Sequence, residues 1–282
     1  MARPAASLAT GQDLPPYRLI AFNSATASEN KIHDDDIARE YGFRGGLVPG
    51  VTVYAYMMRP VVEAFGIEWL GRGSAYARFL QPVYHGEETT VLAHVDSATA
   101  AETRLSLEVR NAAGETCATG WATLPEGACP TPPESATYAE AEVPPVRPPA
   151  SETTLRPLAP LGTARFQFDA AEKAADHLAT VADDLPIYAD RGVAHPGFLL
   201  RYGNTALAGN VALGPWIHVS SEVHNYSLVH DADEIAVRAR VKQLFERKGH
   251  KFVELDVLFV ANGDRPVLQV DHTAIYEVRK GA

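Results

Sequence analysis

The sequence predicts an α+β fold made of two copies of one module, each an antiparallel sheet wrapped around a long apolar helix. Three observations predict it. Val48-Pro49-Gly50 opens an apolar run over 51–65, and Ala194-His195-Pro196-Gly197 opens a second that continues through Leu207. Each run is followed by short stretches of alternating hydrophobicity separated by turn residues, the mark of half-buried strands. Between the two sets, proline recurs every few residues over 125–160, which excludes a central strand or a continuous helix and reads as a semi-rigid linker. The expected division is therefore an N-terminal module at 1–124, a linker at 125–160 and a C-terminal module at 161–282.

Taken in order, residues 17–22 form a short β-prone run after Pro15-Pro16. Residues 28–50 then gather an Asn30-x-x-His33 unit, three consecutive aspartates and a glycine-rich loop ahead of the first helix. Asp34, Asp35 and Asp36 suit the first turn of a short helix through Tyr41, where negative charge meets the positive end of the helix dipole. In the long run, Val51, Tyr54, Ala55, Met58, Val62 and Phe65 keep the spacing of a buried helical face closed by Gly66. Pro60 lies inside it and predicts a kink or a second short helix starting near that position.

A meander follows at 74–83, 89–95, 103–110 and 116–123, with Leu105, Leu107 and Val109 alternating against Arg104, Ser106 and Glu108. The second copy repeats this grammar. Residues 163–168 are strand-like, Asp169 and Glu172 form a capping-box pattern opening an alanine-rich helix to about Ala182, and strands are expected at 218–229, 235–241, 252–259 and 267–278. The two sheets are expected to pair edge to edge, which removes an open strand edge from each.

Bulk properties narrow the partners. A chain of 282 residues that is 46% hydrophobic and 21% charged has ample material for a core. Its formal net charge of -10 argues against a nucleic-acid backbone or an anionic membrane as partner. Cys117 and Cys129 are too few for a disulfide framework and have no metal-ligand spacing, so no metal or cofactor is expected and the default compartment is a reducing cytoplasm. No run approaches a membrane span or a signal-peptide core, which completes the expectation of a soluble, cytoplasmic protein.

The string Asn30-Lys31-Ile32-His33, then Asp34-Asp35, then Gly45-Gly46-Leu47-Val48-Pro49-Gly50, resembles the MaoC-like dehydratase and (R)-specific enoyl-CoA hydratase signature, Asp-x-Asn-Pro-x-His…Gly. Downstream, Gly73-Ser74-Ala75-Tyr76 with Phe79, Pro82, Val83 and Gly86-Glu87 is similar to that family's Gly-Ser…Phe…Pro-Val…Gly-Asp strand. The resemblance spans both halves and implies a double hotdog, two hotdog modules in one chain. It also implies an acyl-thioester substrate carried by coenzyme A or an acyl-carrier protein, with water added or removed at the β-carbon.

The family's proton-transfer pair is the Asp and His of its motif. Here Asn30 and His33 match, Ser28 occupies the Asp position and Lys31 the Pro position, and Glu29 is the neighbouring candidate for the missing carboxylate. The second half departs in the opposite way: Asp183 and Pro186 are in place, but Leu185 replaces Asn and Tyr188 replaces His.

On that resemblance His33 is the proton carrier and Asn30 its orienting partner. Gly50 and Val51 supply backbone N–H groups at a helix start that can polarise a thioester carbonyl, with glycine permitting close approach. Arg78 and Arg44 would hold phosphates of the carrier arm, and Tyr54, with Tyr56, Met57, Met58 and Trp69, would line an acyl tunnel. Arg201, Tyr202 and Asn204 are polar on the repeat helix and are expected to face the first helix's pocket. Read without the resemblance, His33 is a loop histidine beside an acidic turn, the arginines are solvated surface cations and the aromatic and Met residues are core. His195, His224 and His250 show no ligand spacing and receive no role. Two alternatives stay open: a hotdog thioesterase using Glu29, Glu63 or Asp183, and a binding protein whose degenerate motifs only shape an acyl pocket. A homodimer is compatible with either.

Overall fold

A computed structural model describes residues 8–155, 160–171 and 173–279. The first half contributes β1 (Tyr17–Ile20), α1 (Asp35–Glu40), α2 (Gly50–Phe65), α3 (Ile67–Arg72), β2 (Ser74–Phe79), β3 (Glu88–Ala98), β4 (Glu102–Asn111) and β5 (Thr116–Pro125). The second contributes β6 (Pro160–Gln167), α4 (Lys173–Thr180), α5 (Ile187–Arg191), α6 (Pro196–Ala208), β7 (Ile217–Asn225), β8 (Glu234–Arg247), β9 (His250–Ala261) and β10 (Arg265–Glu277). The expected capping-box residue Glu172 lies outside the described residues.

All ten strands form one antiparallel sheet in the order β1-β3-β4-β5-β2-β7-β10-β9-β8-β6. The seam is β2 against β7, running from Ser74 opposite His224 to Arg78 opposite Ser220. Outward from that seam the order is 2-5-4-3-1 on one side and 7-10-9-8-6 on the other, so every strand of the first module has a counterpart five strands later. That symmetry is the duplication expected from the sequence, with the two sheets paired edge to edge.

The core follows from the strand alternation and the helix composition. In β4, Leu105, Leu107 and Val109 are buried while the residues between them reach solvent. Helix α2 is apolar almost all round because its module's sheet wraps one side and α6 packs against another. The two helices approach closely: a Cβ on Gly197 would fall 2.5 Å from Ala55 Cβ.

One expectation is corrected by the structure. Helix α2 runs unbroken through Pro60, and the second short helix begins only after Gly66, whose φ is 65°. A proline removes one backbone bond, and burial of α2 on several faces outweighs that loss. The described part of the proline-rich stretch, expected as a semi-rigid linker, lies as a strap across the outer face of the second sheet. Its Tyr138 is buried against Leu258 and Val260 and donates to the Asp256 carboxylate at 2.7 Å, and its Leu155 is buried in the main core. This strap explains why β9 is apolar on both faces instead of alternating.

Candidate active site

Residues 28–50 form a loop held by its own polar groups. Asn30 caps a 3₁₀ turn, Lys31–His33, and Asp34 then caps α1 by accepting from the N–H groups of Asp36 and Ile37. Asp35 reaches back 2.7 Å to the Gly46 N–H, and Asn23 donates to the His33 carbonyl at 2.9 Å. A Cβ on Gly46 would lie 2.1 Å from that carbonyl oxygen, so only glycine allows the loop to close over itself here.

This closure fixes one imidazole. His33 Nδ1 lies 2.7 Å from the Leu47 carbonyl oxygen, which can only accept, so Nδ1 carries the hydrogen. Nε2 lies 3.3 Å from the Asn30 side-chain nitrogen, which donates to it and, at 3.0 Å, to the Trp216 carbonyl. The Asn30 side-chain oxygen accepts the Trp216 N–H at 3.1 Å, so the amide is clamped at both ends by the second module. The outcome is a neutral imidazole with its Nε2 lone pair held by one long hydrogen bond. Burial pushes the His33 pKa below its ordinary value, while the hydrogen bond to the Leu47 carbonyl opposes that shift. His33 is thereby disposed to act as a base.

His33 and Asn30 open onto a pocket of about 360 Å³ between the modules, in the range of small-molecule sites. Its first wall is the loop and the start of α2; its second is β7 with Trp216 and His218, together with Asn204 from α6. Thr52 and Val53 N–H groups both donate to the Pro49 carbonyl, at 2.9 and 3.1 Å, which leaves those of Gly50 and Val51 ahead of the first helical acceptor. A Cβ on Gly50 would meet His218 Nδ1 at 2.8 Å and Phe79 at 3.1 Å, so glycine is what lets α2 begin against the pocket wall.

Among the described residues no carboxylate lines this pocket, although the chain as a whole is acidic. Arg78, Arg247 and Lys248 line it, are exposed, and have no ion-pair partner among the described residues. Arg247 and Lys248 lie at the tip of the β8–β9 hairpin, where Lys248 and Gly249 both have positive φ, 53° and 77°, as a tight two-residue turn requires.

The remaining expected site residues lie elsewhere. Glu29 is not brought to His33: its carboxylate is 79% exposed and pairs with Arg147 of the strap at 2.8 Å. Tyr54 is fully buried in the core and does not line the pocket, since its face of α2 turns inward. Arg44 stacks on Tyr84, 4.2 Å from the ring centre, and pairs with Glu87. Asn204 faces the pocket as expected, whereas Tyr202 stacks on Phe166 and Arg201 lies over Phe198.

The equivalent place in the second module is filled. Asp183 and His195, with side chains 1% and 2% exposed, approach at 3.1 Å, and Tyr188 and Arg59 stand at 3.4 Å from the same carboxylate. His195 takes the position that Val48 has in the first copy, and its Nδ1 accepts the Gly197 N–H at 3.0 Å. The helix start that stays open at Gly50 is thus capped at Gly197 by the protein itself. His177 packs 3.1 Å from His195 Nδ1, and burial, then the neighbouring His195 and Arg201, push its pKa down to about 2. Sequence reasoning missed His195 because it sought metal-ligand spacing; the usable signal was a polar residue where the other copy has valine, directly before Pro-Gly.

No protein-family model matches the chain, and no curated protein matches it. Solved structures do. A MaoC domain protein dehydratase from Chloroflexus aurantiacus aligns over 99% of both chains with a TM-score of 0.66 at 12% identity. A conserved hypothetical protein from Mycobacterium tuberculosis, described as a double hotdog fold, aligns over 95% of this chain and 96% of its own with a TM-score of 0.63 at 16% identity. An acyl-CoA thioesterase II from Mycobacterium marinum aligns over 84% and 92% with a TM-score of 0.50 at 13% identity. Seen beside these, the ten-stranded sheet and its paired central helices are a double hotdog, the fold implied by the chain's resemblance to the MaoC-like dehydratases.

Proposed function

We propose that the protein is an acyl-thioester hydratase or dehydratase with a single working site, in the pocket at His33. The observation that carries this reading is the neutral imidazole, its Nε2 lone pair held only by one long hydrogen bond from Asn30, beside an open helix start. In the hydration direction His33 Nε2 takes a proton from water as the water oxygen bonds to the β-carbon. The C=C electron pair moves onto the thioester oxygen, where the Gly50 and Val51 N–H groups stabilise the enolate. The protonated His33 then returns the proton to the α-carbon, so one water is added and the imidazole is regenerated. Dehydration is the reverse.

Arg78, Arg247 and Lys248 suit the phosphates of a coenzyme A or acyl-carrier arm, and the scarcity of acidic groups around them favours an anionic ligand. Each carboxylate considered for thioesterase chemistry is engaged elsewhere: Glu29 with Arg147, Glu63 with Arg59, and Asp183 with His195. Hydration therefore accounts better for the groups present. The test is to incubate purified protein with crotonyl-CoA and longer enoyl-CoAs, following loss of the conjugated absorbance and, separately, release of free thiol. Loss of absorbance without thiol, reduced roughly 10²–10⁴-fold in His33→Ala, is expected. Thiol release would favour the thioesterase, and binding without conversion a non-catalytic role.

A further inference from the structure

A second buried polar chain reaches the same pocket from the other module, and the proton transfers above leave it unused. His218 Nε2 lies 2.8 Å from Ser221 Oγ, and Ser221 Oγ lies 3.0 Å from His272 Nδ1. The two rings stack with centres 4.2 Å apart, and all three side chains are buried. Residues three apart on a strand ordinarily face opposite sides. Here the β7–β10 register slips between Thr273 opposite Ser220 and Ala274 opposite His218, and this bulge turns His218 and Ser221 to the same side.

Burial holds both imidazoles well below their ordinary pKa, so each is neutral near pH 7 and carries one hydrogen. Ser221 has one hydrogen to donate. If it donates to His272 Nδ1, the hydrogen of His272 sits on Nε2, a buried position with no acceptor among the described residues. If it donates to His218 Nε2, the group left over at His272 is only a lone pair, which is less costly than an orphaned N–H. The hydrogen of His218 then sits on Nδ1, which makes no hydrogen bond among the described residues and lies beside the start of α2. The second order leaves the buried end better satisfied and directs the free N–H to the end that a ligand can reach.

We propose that His218 is a second oxyanion donor of the pocket, its Nδ1–H joining the Gly50 and Val51 N–H groups on the thioester oxygen, with Ser221 and His272 as positioning residues that hold the tautomer. The oxyanion site is then built by both modules, a helix start from the first and a neutral imidazole from the second. No proton leaves His218; its hydrogen bond strengthens as charge develops on the oxygen. The inference rests on the acyl-thioester reading, but it holds whether water attacks the β-carbon or the carbonyl carbon, since both place charge on the same atom.

The test pairs nitrogen-15 NMR of the histidines with steady-state kinetics. Wild type should show His218 protonated at Nδ1 near pH 7, and Ser221→Ala should lose that single tautomer. His218→Leu should lower kcat on the order of 10²-fold or more with KM little changed. His218→Asn, which places an amide N–H near the Nδ1 position, should recover part of the loss. A hydrogen found on Nε2 overturns the proposal even if the variants fail to fold. So does wild-type kcat in His218→Leu while His33→Ala is inactive, an outcome that leaves the reading of the site intact. Full activity in both variants would instead overturn that reading.

Discussion

His33 shows how much a single residue's neighbours decide. Its Nδ1 is committed to a carbonyl and its Nε2 to an amide that the second module clamps. In the proposed reaction the working form is neutral, so the rate should fall as pH drops through its lowered pKa and stay level above about 6.5. Asn30→Asp sets a negative charge beside Nε2, which favours the imidazolium; the acid limb of the pH–rate profile should move to higher pH. An unmoved limb would mean that another group sets it. Asn30 and His33 were legible in the sequence because their spacing forms one compact unit. The missing carboxylate was not: a one-residue shift in a loop cannot be read from type alone, and Glu29 turned outward to Arg147. His218 was hidden for a different reason, since a strand bulge breaks the alternation on which sequence reading depends.

Among the elements, the two central helices began from the same Pro-Gly unit and diverged at the residue ahead of it. Val48 leaves the start of α2 open to the pocket, whereas His195 covers that of α6. Gly50→Ala would drive a methyl group against His218 and Phe79, and turnover should fall sharply while most of the stability survives; unchanged kinetics would show that the close approach is unnecessary. Asp183→Ala is expected to do the reverse. It leaves Arg59 and His195 without their buried carboxylate at a cost of about 3–5 kcal/mol, read by denaturant unfolding, with normal turnover in the folded protein. Loss of turnover at unchanged stability would move the working site to the second module. Helices and strands were largely readable from periodicity, because burial on one face writes itself into the sequence. The strap was not, because proline spacing signals extended chain without saying what lies beneath it.

The whole molecule is a duplicated scaffold in which one copy keeps an open pocket and the other uses its motif to join the modules. Arg59 of α2 holds Asp183 and Asp184 of the second half, and Asn30 of the first grips Trp216. Buried histidines also tie overall stability to pH. The pKa of His177 falls to about 2 and that of His272 to about 4, so the unfolded chain binds protons that the folded one refuses. Stability should be full above about pH 6.5 and decline as pH falls toward 4, by up to about 1.4 kcal/mol per unit for each such histidine. Thermal melts across that range should show the decline; a flat profile would place these rings in water.

On the proposed reading each chain has one thioester pocket, open at Gly50 and closed at Gly197. Titration calorimetry with a non-reacting acyl-CoA analogue tests it directly. One ligand per chain is expected, bound more weakly at high salt and weakened further by Arg78→Glu or Arg247→Glu. Two ligands per chain, or one whose affinity ignores both charge reversals, would contradict it.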